Sequence, residues 1–330
     1  MSWLFHTVRI GAAALVAAAL LIGCAQRPPQ TAGESASTVQ AQVSAELRGR
    51  GGSGQRLAVV ATFSILGDMV QNVGGELVEV TTLVGPGGDA HTFEPTPADS
   101  ARLAEASVVV ENGLEFEPWL DDLYAAAGSH ALRVIASDGV ETITTNSGAG
   151  HSELDPHIWH DVQNAMVMVA NIRDGLAAAD PTNAAVYQAN ADAYTAQLQE
   201  LDAFVQAQVA EIPQERRKLI TSHDTFGYFA HRYGFTIVGS ALGSASTETA
   251  DPAASDIAAL VEEIRASGVP AIFAENVANP SLMQTIAREA NVQLGPPLYT
   301  DALGDAGSDG STYIEMIRSN TAAIVSVLKE

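Results

Sequence analysis

A repeated alternation of short apolar runs with helical patterns, from Leu57 to the end of the chain, restricts the fold more than any other feature. In the first half, helical stretches separate four strand-like runs, which begin at Leu57, Val78, Val108 and Leu132. This alternation predicts a parallel sheet that is covered by helices on both faces. The pattern repeats after Lys218. We therefore expect an α/β protein with two (βα)4-type domains, each built on a four-stranded parallel sheet.

A long helical segment lies between the two repeats. Asp180-Pro181 marks a helix start, and residues 183–211 contain neither Gly nor Pro. Apolar side chains recur there at three- and four-residue steps, at Tyr187, Ala191, Tyr194, Leu198, Leu201 and Val205. A helix of this length spans roughly 40 Å, and as the only covalent link it predicts limited opening and closing of the domains. We expect an N-terminal domain at 56–180, a linking helix at 181–212 and a C-terminal domain at 213–330.

Residues 1–24 have the pattern of a lipoprotein signal peptide. Arg9 supplies a positive charge, and an apolar segment from Gly11 to Ile22 follows it. The sequence Leu21-Ile22-Gly23-Cys24 resembles a bacterial lipobox. Cys24 is the only cysteine in the chain, and lipid attachment would explain an unpaired thiol in an exported protein. An uncleaved anchor helix is the alternative, and either outcome places the protein in the periplasm or on the outer face of the cell membrane, attached to that membrane.

The composition beyond the lipobox limits the possible partners. Residues 25–55 are rich in Ser, Gly, Gln, Ala and Pro and show no apolar period, which predicts a flexible tether. The formal net charge of the chain is −23. This charge argues against a nucleic-acid partner, because phosphate contacts need Lys and Arg.

Four polar segments, far apart in the chain, each offer a side chain that can bind a metal just after a strand-like run. These side chains are His91, His157, His223 and Asp301. Ligands of parallel α/β proteins bind beyond the carboxyl ends of the strands. Three imidazoles and one carboxylate suit a tetrahedral or slightly expanded divalent metal site. Two ligands from each domain would place the metal in the cleft between the domains.

Each of these residues also has a simpler interpretation, since a single histidine in a loop is usually a surface residue. His160 is the strongest competing histidine, because it lies three residues after His157 and the two could share a helix face. We interpret His160 as structural or as a neighbour of a ligand. The hypothesis depends on the joint placement of the four candidates.

Nearby acids are candidates to orient the imidazoles. Asp89 and Asp155 each lie two residues before a candidate histidine, and Asp224 follows His223 directly. Metal-bound imidazoles commonly donate their second N–H to a carboxylate or a carbonyl. Loop capping is the alternative, because Asp is common in loops for that reason. Glu275, at a strand end in the second half, is interpreted as a reserve ligand or as an acid that anchors a loop.

The segments that carry these residues resemble the metal-receptor family of ABC-transporter substrate-binding lipoproteins (cluster A-I), which serves zinc and manganese importers. The matching segments are Gly88–Asp99, Asp155–Asp161, Ser222–Gly234 and Leu298–Gly304. The resemblance covers the chain from about Leu57 and implies two α/β domains joined by one long helix. It maps the ligand positions of the family onto the four candidates. It also implies an ABC permease and its ATPase subunit as partners, and we expect a monomer held at the membrane by its lipid.

Some positions differ from the family pattern. Ala90 stands where the family often has Pro, and His160-Asp161-Val162 replaces Leu-Asp-Pro. Asn146 to Glu153 is short, with only His151, which argues against a His-rich loop for scavenging zinc. Manganese receptors of the family frequently have a carboxylate at the position of His223. Three nitrogens and one carboxylate favour Zn²⁺, with Mn²⁺ as the alternative.

Three functions are compatible with such a site. The first is an extracytoplasmic receptor, not an enzyme, that captures the cation and delivers it to a membrane permease. The second is a zinc hydrolase in which Asp301 acts as general base on a bound water, although the sequence contains no His-Glu-x-x-His motif. The third is an adhesin-type surface lipoprotein, since some relatives have that label.

Overall fold

The computed structural model describes residues 56–147, 151–247 and 252–330. The predicted signal peptide, the tether and Cys24 lie outside these residues. We refer to residues 56–180 as the first half and to residues 213–330 as the second half. No helix within the described ranges combines the length and the apolar character needed to cross a membrane.

The first half is built on a four-stranded parallel sheet. Its strands are β1 (Leu57–Phe63), β2 (Val78–Val84), β3 (Val108–Glu111) and β4 (Leu132–Ile135), in the order β2-β1-β3-β4. The strands at the centre read as apolar runs because both faces of a parallel sheet are covered. The parallel four-stranded sheet confirms the α/β class and the predicted parallel pairing of these strands.

Three helices connect these strands, namely α1 (Ser64–Gly74), α2 (Pro97–Glu105) and α3 (Leu120–Ala127). Helix α2 begins after Thr96, which is its N-cap. The side chain of Thr96 accepts from the backbone N–H of Asp99, and the Asp99 carboxylate accepts from the backbone N–H of Thr96. This reciprocal cap satisfies two backbone donors and fixes the end of the loop that carries His91.

A β-hairpin of β5 (Thr144–Ser147) and β6 (His151–Leu154) occupies the region that the sequence predicts as a short loop. Its strands are mostly polar, so they lack the apolar run that marks a strand in a sequence. His157 therefore follows an antiparallel hairpin strand, and not the last strand of the parallel sheet. A 3-10 turn at Ile158–His160 connects this segment to the next helix.

Two helices follow along the chain: α4 (Val162–Ala179) ends the first half, and α5 (Ala184–Val209) lies between the halves. A 3-10 turn at Pro181–Asn183 separates them, as the Asp180-Pro181 break predicts. Helix α5 has 26 residues and is therefore about 39 Å long. Its apolar stripe is buried from Tyr187 to Val205. The single long helix between the two halves is as the sequence predicts.

The second half contains β7 (Lys218–Thr221), β8 (Thr236–Ser240), β9 (Ala271–Ile272) and β10 (Gln293–Leu294). These strands form two parallel pairs, β7–β8 and β9–β10, in place of one continuous four-stranded sheet. The backbone N–H of Phe273 donates to the carbonyl of Ile220 at 3.0 Å and so connects the pairs. Strand β10 is short because Gly295-Pro296-Pro297 follows it and proline cannot donate to a ladder.

The helices of the second half are α6 (Gly227–Tyr233), α7 (Ala254–Ser267), α8 (Ser281–Ala290) and α9 (Tyr313–Leu328). Beyond β10, Leu298 pairs with Glu275 in an isolated parallel bridge, so the chain rejoins the sheet just before Asp301. The largest buried apolar cluster includes Phe63, Trp159 and Tyr313 and thus runs through both halves. The boundaries proposed for two separate domains stay a prediction, since Gln55–Glu330 is one compact unit.

Candidate metal centre

The structure brings all four predicted ligands together. One ligand atom from each of four buried side chains lies within 4.8 Å of the others, and these side chains are His91, His157, His223 and Asp301. His91 is 5 % exposed and the other three are 0 % exposed. Residues from loops in both halves thus meet in one buried cluster.

The imidazoles present the same atom to the centre of the cluster. The Nε2 atom of His157 lies 3.3 Å from Nε2 of His91 and 3.3 Å from Nε2 of His223. Asp301 completes the group, with an oxygen 3.1 Å from Nε2 of His223. Its oxygens lie 3.6 Å and 3.7 Å from Nε2 of His157 and His91. Lone pairs that converge in this way repel one another unless a proton or a cation lies between them.

The carboxylate of Asp301 supplies a direct test of whether a cation fits. Both of its oxygens are buried, and neither accepts a hydrogen bond of good geometry from any described residue. A buried charge without hydrogen bonds is costly, and such groups in proteins are paired or coordinate metals. Three imidazole nitrogens and one carboxylate oxygen are the donor set of a four-coordinate Zn²⁺ site. The residues therefore fit a divalent cation as bound cargo.

Two acids fix the orientation of two imidazoles. The Oδ1 atom of Asp155 lies 2.8 Å from Nδ1 of His157 and also accepts from the backbone N–H of His157. The Oε2 atom of Glu275 lies 2.5 Å from Nδ1 of His223. Because a carboxylate accepts the Nδ1 proton, it leaves Nε2 free to bind a metal. Glu275 also accepts from the backbone N–H groups of Ser222 and His223, and so anchors the loop as well.

The other two candidate acids do not contact an imidazole. Asp89 accepts from the backbone N–H of His91 at 2.9 Å and from the hydroxyl of Thr247 at 2.6 Å, so it caps its loop and ties it to the second half. Asp224 has no side-chain hydrogen bond to an imidazole among the described residues. Its backbone N–H donates to the carbonyl of Ser244.

The charges of the two sides of the cluster differ. Burial lowers the pKa of His91 to about 4, so this imidazole is neutral at physiological pH. Burial also acts to lower the pKa of His223, but the carboxylates of Glu275 and Asp301 outweigh it and raise that pKa well above its ordinary value. Burial alone would raise the pKa of Asp301, but the neighbouring imidazoles hold it below its usual range. In the metal-free site, a proton on His223 balances the carboxylates.

His160 is close to the cluster but is not part of it. Its Nε2 atom lies 3.3 Å from the hydroxyl of Thr225, and its ring centroid lies 4.4 Å from that of Phe226. Burial lowers the pKa of His160 to about 3, so it is a neutral core residue. His160 is not among the four side chains whose ligand atoms lie within 4.8 Å of one another.

Asn276 is a site residue that our sequence analysis did not identify. Its Oδ1 atom accepts from the backbone N–H of Thr300 at 3.0 Å, and its amide donates to the carbonyl of Ala302 at 2.9 Å. These bonds hold the residues on both sides of Asp301. With Glu275, Asn276 forms a dipeptide that holds the segments of both second-half ligands. The position of Glu275-Asn276 at the end of the apolar run that contains β9 is the signal in the sequence that could have indicated this role.

A pocket of about 500 Å³ opens beside His91. Its charged lining residues are Glu111, Glu115, Glu117, Asp121 and Arg133. Arg133 is held by Glu111 through two hydrogen bonds of 2.7 Å. Among the four ligands, His91 alone lines this pocket. The cluster is thus closest to a surface cavity on the His91 side.

Comparisons with known proteins show the family of this chain. The family described as "Zinc-uptake complex component A periplasmic" matches residues 59–327. The manganese-binding lipoprotein MntA of Halalkalibacterium halodurans is 37% identical over 292 residues, which cover 88% of this chain and 95% of the relative. The manganese ABC transporter substrate-binding lipoprotein PsaA of Streptococcus pneumoniae (strain ATCC BAA-334 / TIGR4) is 30% identical over 274 residues, or 81% and 88% of the two chains.

Solved structures show the same fold. The periplasmic zinc binding protein TroA from Treponema pallidum superimposes with a TM-score of 0.77 at 30% identity, over 83% of this chain and 99% of that one. The Mn-bound periplasmic metal binding protein from Candidatus Liberibacter asiaticus superimposes with a TM-score of 0.74 at 28% identity, over 83% of this chain and 100% of that one. Family members are receptors and not enzymes. The chain therefore belongs to the metal-receptor family of substrate-binding lipoproteins that serve zinc and manganese ABC importers.

Proposed function

We propose that this protein captures a divalent cation outside the cytoplasmic membrane, at the cluster of three histidines and Asp301, and delivers it to an ABC permease. The observation that carries the proposal is the convergence of four buried ligand atoms within 4.8 Å of one another, one of them an oxygen of the fully buried Asp301 carboxylate. A cation shared with the three Nε2 atoms would satisfy it. Family membership agrees with capture for import.

We propose Zn²⁺ as the tightest-bound cargo and Mn²⁺ as the alternative. The donor set supports this order, because three imidazole nitrogens favour Zn²⁺ by ligand softness and by the general affinity order of divalent metals. Relatives with manganese in their names and a relative with zinc in its name are both similar to this chain. Both cations therefore belong in any binding test.

The cation is cargo in this proposal, and the protein breaks no bond. In the hydrolase alternative, Asp301 would act on a metal-bound water and would stand back from the ligand atoms. Its oxygens lie only 3.1–3.7 Å from the three Nε2 atoms, which supports a role for the carboxylate as a ligand itself. The comparisons support the receptor and not the hydrolase. No observation on the described residues favours an adhesin.

The proposed receptor is exported and attached to the membrane through lipid on Cys24, as the names of the lipoprotein relatives suggest. Its partners are a permease and the ATPase subunit of the same importer. A lipid anchor keeps the loaded receptor close to the permease, which raises their effective concentration.

Calorimetric titration of the metal-stripped protein with Zn²⁺ and then with Mn²⁺ tests the proposal. We expect tight Zn²⁺ binding with one site, weaker Mn²⁺ binding at the same site, and a large loss in His223→Ala. His130→Ala is the matched control, because His130 is exposed and lies outside the cluster. Binding that is unchanged in His223→Ala would contradict the ligand assignment. Mn²⁺ that resists displacement by Zn²⁺ would contradict the order of the two metals.

A further inference from the structure

Trp159 connects the segment of one ligand to the segment of another across the two halves. It lies two residues after His157, and its indole Nε1–H donates to the carbonyl of Thr300 at 2.9 Å. Thr300 directly precedes Asp301. The indole is 0 % exposed, so this hydrogen bond does not compete with water.

The backbone of Trp159 is also held from the second half. The hydroxyl of Tyr313, the first residue of α9, donates to the carbonyl of Trp159 at 2.7 Å. The backbone N–H of Tyr313 in turn donates to Asp68 of the first half at 3.1 Å. Trp159 therefore makes hydrogen bonds to the second half with both its indole ring and its backbone carbonyl.

Close packing limits the indole to one position. Its ring centroid lies 5.1 Å from that of Phe63, 4.9 Å from that of Phe116 and 5.3 Å from that of His157. Aromatic rings in such edge and tilted contacts fill the space around one another, and close-packed cores transmit displacements. The direction of the indole N–H is therefore fixed relative to the imidazole of His157.

The carboxylate of Asp301 depends on its backbone for its position, since neither of its oxygens has a hydrogen-bond partner of good geometry among the described residues. Asn276 holds that backbone from within the second half. From the first half, Trp159 holds the carbonyl before Asp301. The hydroxyl of Ser64 and the backbone N–H of Gly87 hold Leu303, two residues after it.

We infer that Trp159 is a positioning residue for the metal: its indole N–H holds the Thr300 carbonyl and so sets the distance between Asp301 and His157. This inference rests on the proposed metal-binding function of the cluster. Because the bonds to Leu303 remain when the indole N–H is lost, we expect a partial effect. Partners beyond the ligands typically change metal affinity by about 10- to 100-fold, and we expect a loss of about tenfold.

Trp119 supplies a matched control. Its indole N–H donates to the carbonyl of Ala90 at 2.7 Å, and Ala90 directly precedes His91. The two tryptophans thus make the same kind of bond to the residue before a ligand. Trp119 acts within the first half, whereas Trp159 acts between the halves.

The test is a double-mutant cycle on Zn²⁺ affinity in the full chain. Trp159→Phe retains an aromatic ring and removes the donor. We expect about tenfold weaker binding in the native background. We expect no further loss in an Asp301→Ala background, because no carboxylate remains to be positioned. Trp119→Phe should weaken binding by the same factor with or without Asp301.

An equal loss from Trp159→Phe in both backgrounds would overturn the inference, because a packing role alone predicts it. If the Phe variant does not fold, as judged by thermal unfolding of the metal-free protein, benzothienylalanine at position 159 replaces it. This residue keeps the bicyclic ring without the N–H, and the same criterion applies. Failure of the unmodified protein to bind Zn²⁺ or Mn²⁺ would overturn the proposed function and this inference together.

Discussion

The two sides of the metal centre hold their ligands by different means. On the first-half side, His91 and His157 pack against the ring of Phe116, and His91 is neutral because burial lowers its pKa to about 4. On the second-half side, His223 and Asp301 form a charged pair that is fully buried. The first side thus offers a histidine that needs no deprotonation to bind a metal. The second side must exchange a proton for the metal, and this difference can be tested.

We expect the largest loss of Zn²⁺ affinity when the carboxylate on the second-half side is removed. Structural zinc sites bind with about 10–16 kcal/mol, so one of four ligands contributes on the order of 3 kcal/mol, or about 100-fold. We expect about 100-fold weaker Zn²⁺ binding for His91→Ala and about 1,000-fold for Asp301→Ala, because the latter also removes the negative charge. Competition with a chelator of known affinity measures both. Equal losses would remove the distinction between the two sides.

A smaller effect is expected from the acid that orients His223. Glu275→Gln removes a charged acceptor from Nδ1 of His223 and weakens the anchor of its loop. Such changes typically cost about 10- to 100-fold in metal affinity. Asp224→Asn is the matched control, since it makes the same chemical change beside His223 without a hydrogen bond to the imidazole. A loss in the control as large as that in Glu275→Gln would show that general charge, and not orientation, is responsible.

The first half contains a buried acid whose titration affects stability. Burial raises the pKa of Glu117 to about 7, although Thr62 and two backbone N–H groups donate to it. Since the folded state holds this proton more tightly than the unfolded chain, its contribution to stability is fully present below the unfolded pKa of 4.5. That contribution is lost as the pH rises through about 7.

We therefore expect the metal-free protein to lose about 2 kcal/mol of unfolding free energy from this group between pH 5.5 and 8. Urea unfolding at the two pH values measures it. In Glu117→Gln, the unfolding free energy should change much less between these two pH values. In Glu115→Gln, which changes a neighbouring acid in the same pocket, the loss of unfolding free energy should remain. A Glu117→Gln profile as steep as that of the unmodified protein would contradict the assignment.

The smallest expected effect is the change of metal affinity with pH that results from the release of a proton on binding. Because the pKa of His223 is raised well above its ordinary value, this imidazole is protonated in the metal-free site near pH 7. Metal must displace that proton, so affinity should rise with pH by at most about tenfold per unit until the His223 pKa is reached. Titration calorimetry in buffers of different ionisation enthalpy counts the released protons. Release that is unchanged in Glu275→Gln would contradict His223 as the source.

The ligand candidates could be predicted because strand ends are visible in the sequence. His223 follows the apolar run of β7, and His91 follows that of β2 after a glycine-rich turn. The carboxyl ends of parallel strands face one edge of a sheet, so residues that are distant in sequence can meet there. The same argument led to His157, which the structure brings into the cluster, although the strand before it belongs to the β5–β6 hairpin.

The contacts that orient the ligands could not be predicted in the same way. Asp89, Asp155 and Asp224 have equivalent places beside a histidine in the sequence, yet only Asp155 reaches an imidazole. Such selection depends on the direction of each side chain in the folded loop, which spacing does not specify. Asn276 and Trp159 act on backbone groups far away in the chain, and a backbone acceptor has no signature in the sequence.

The Glu275-Asn276 dipeptide has a consequence for how a cation leaves. Adjacent residues on one stretch of backbone hold His223 and the residues on both sides of Asp301, which are distant in sequence. In the proposed receptor, the two residues, His223 and Asp301, would therefore act as one chelating group: when one binds the cation, the other is already at high local concentration. A cation that loses one of them is recaptured unless the end of β9 itself shifts. Movement of this single dipeptide would turn a chelate into two weak, independent donors.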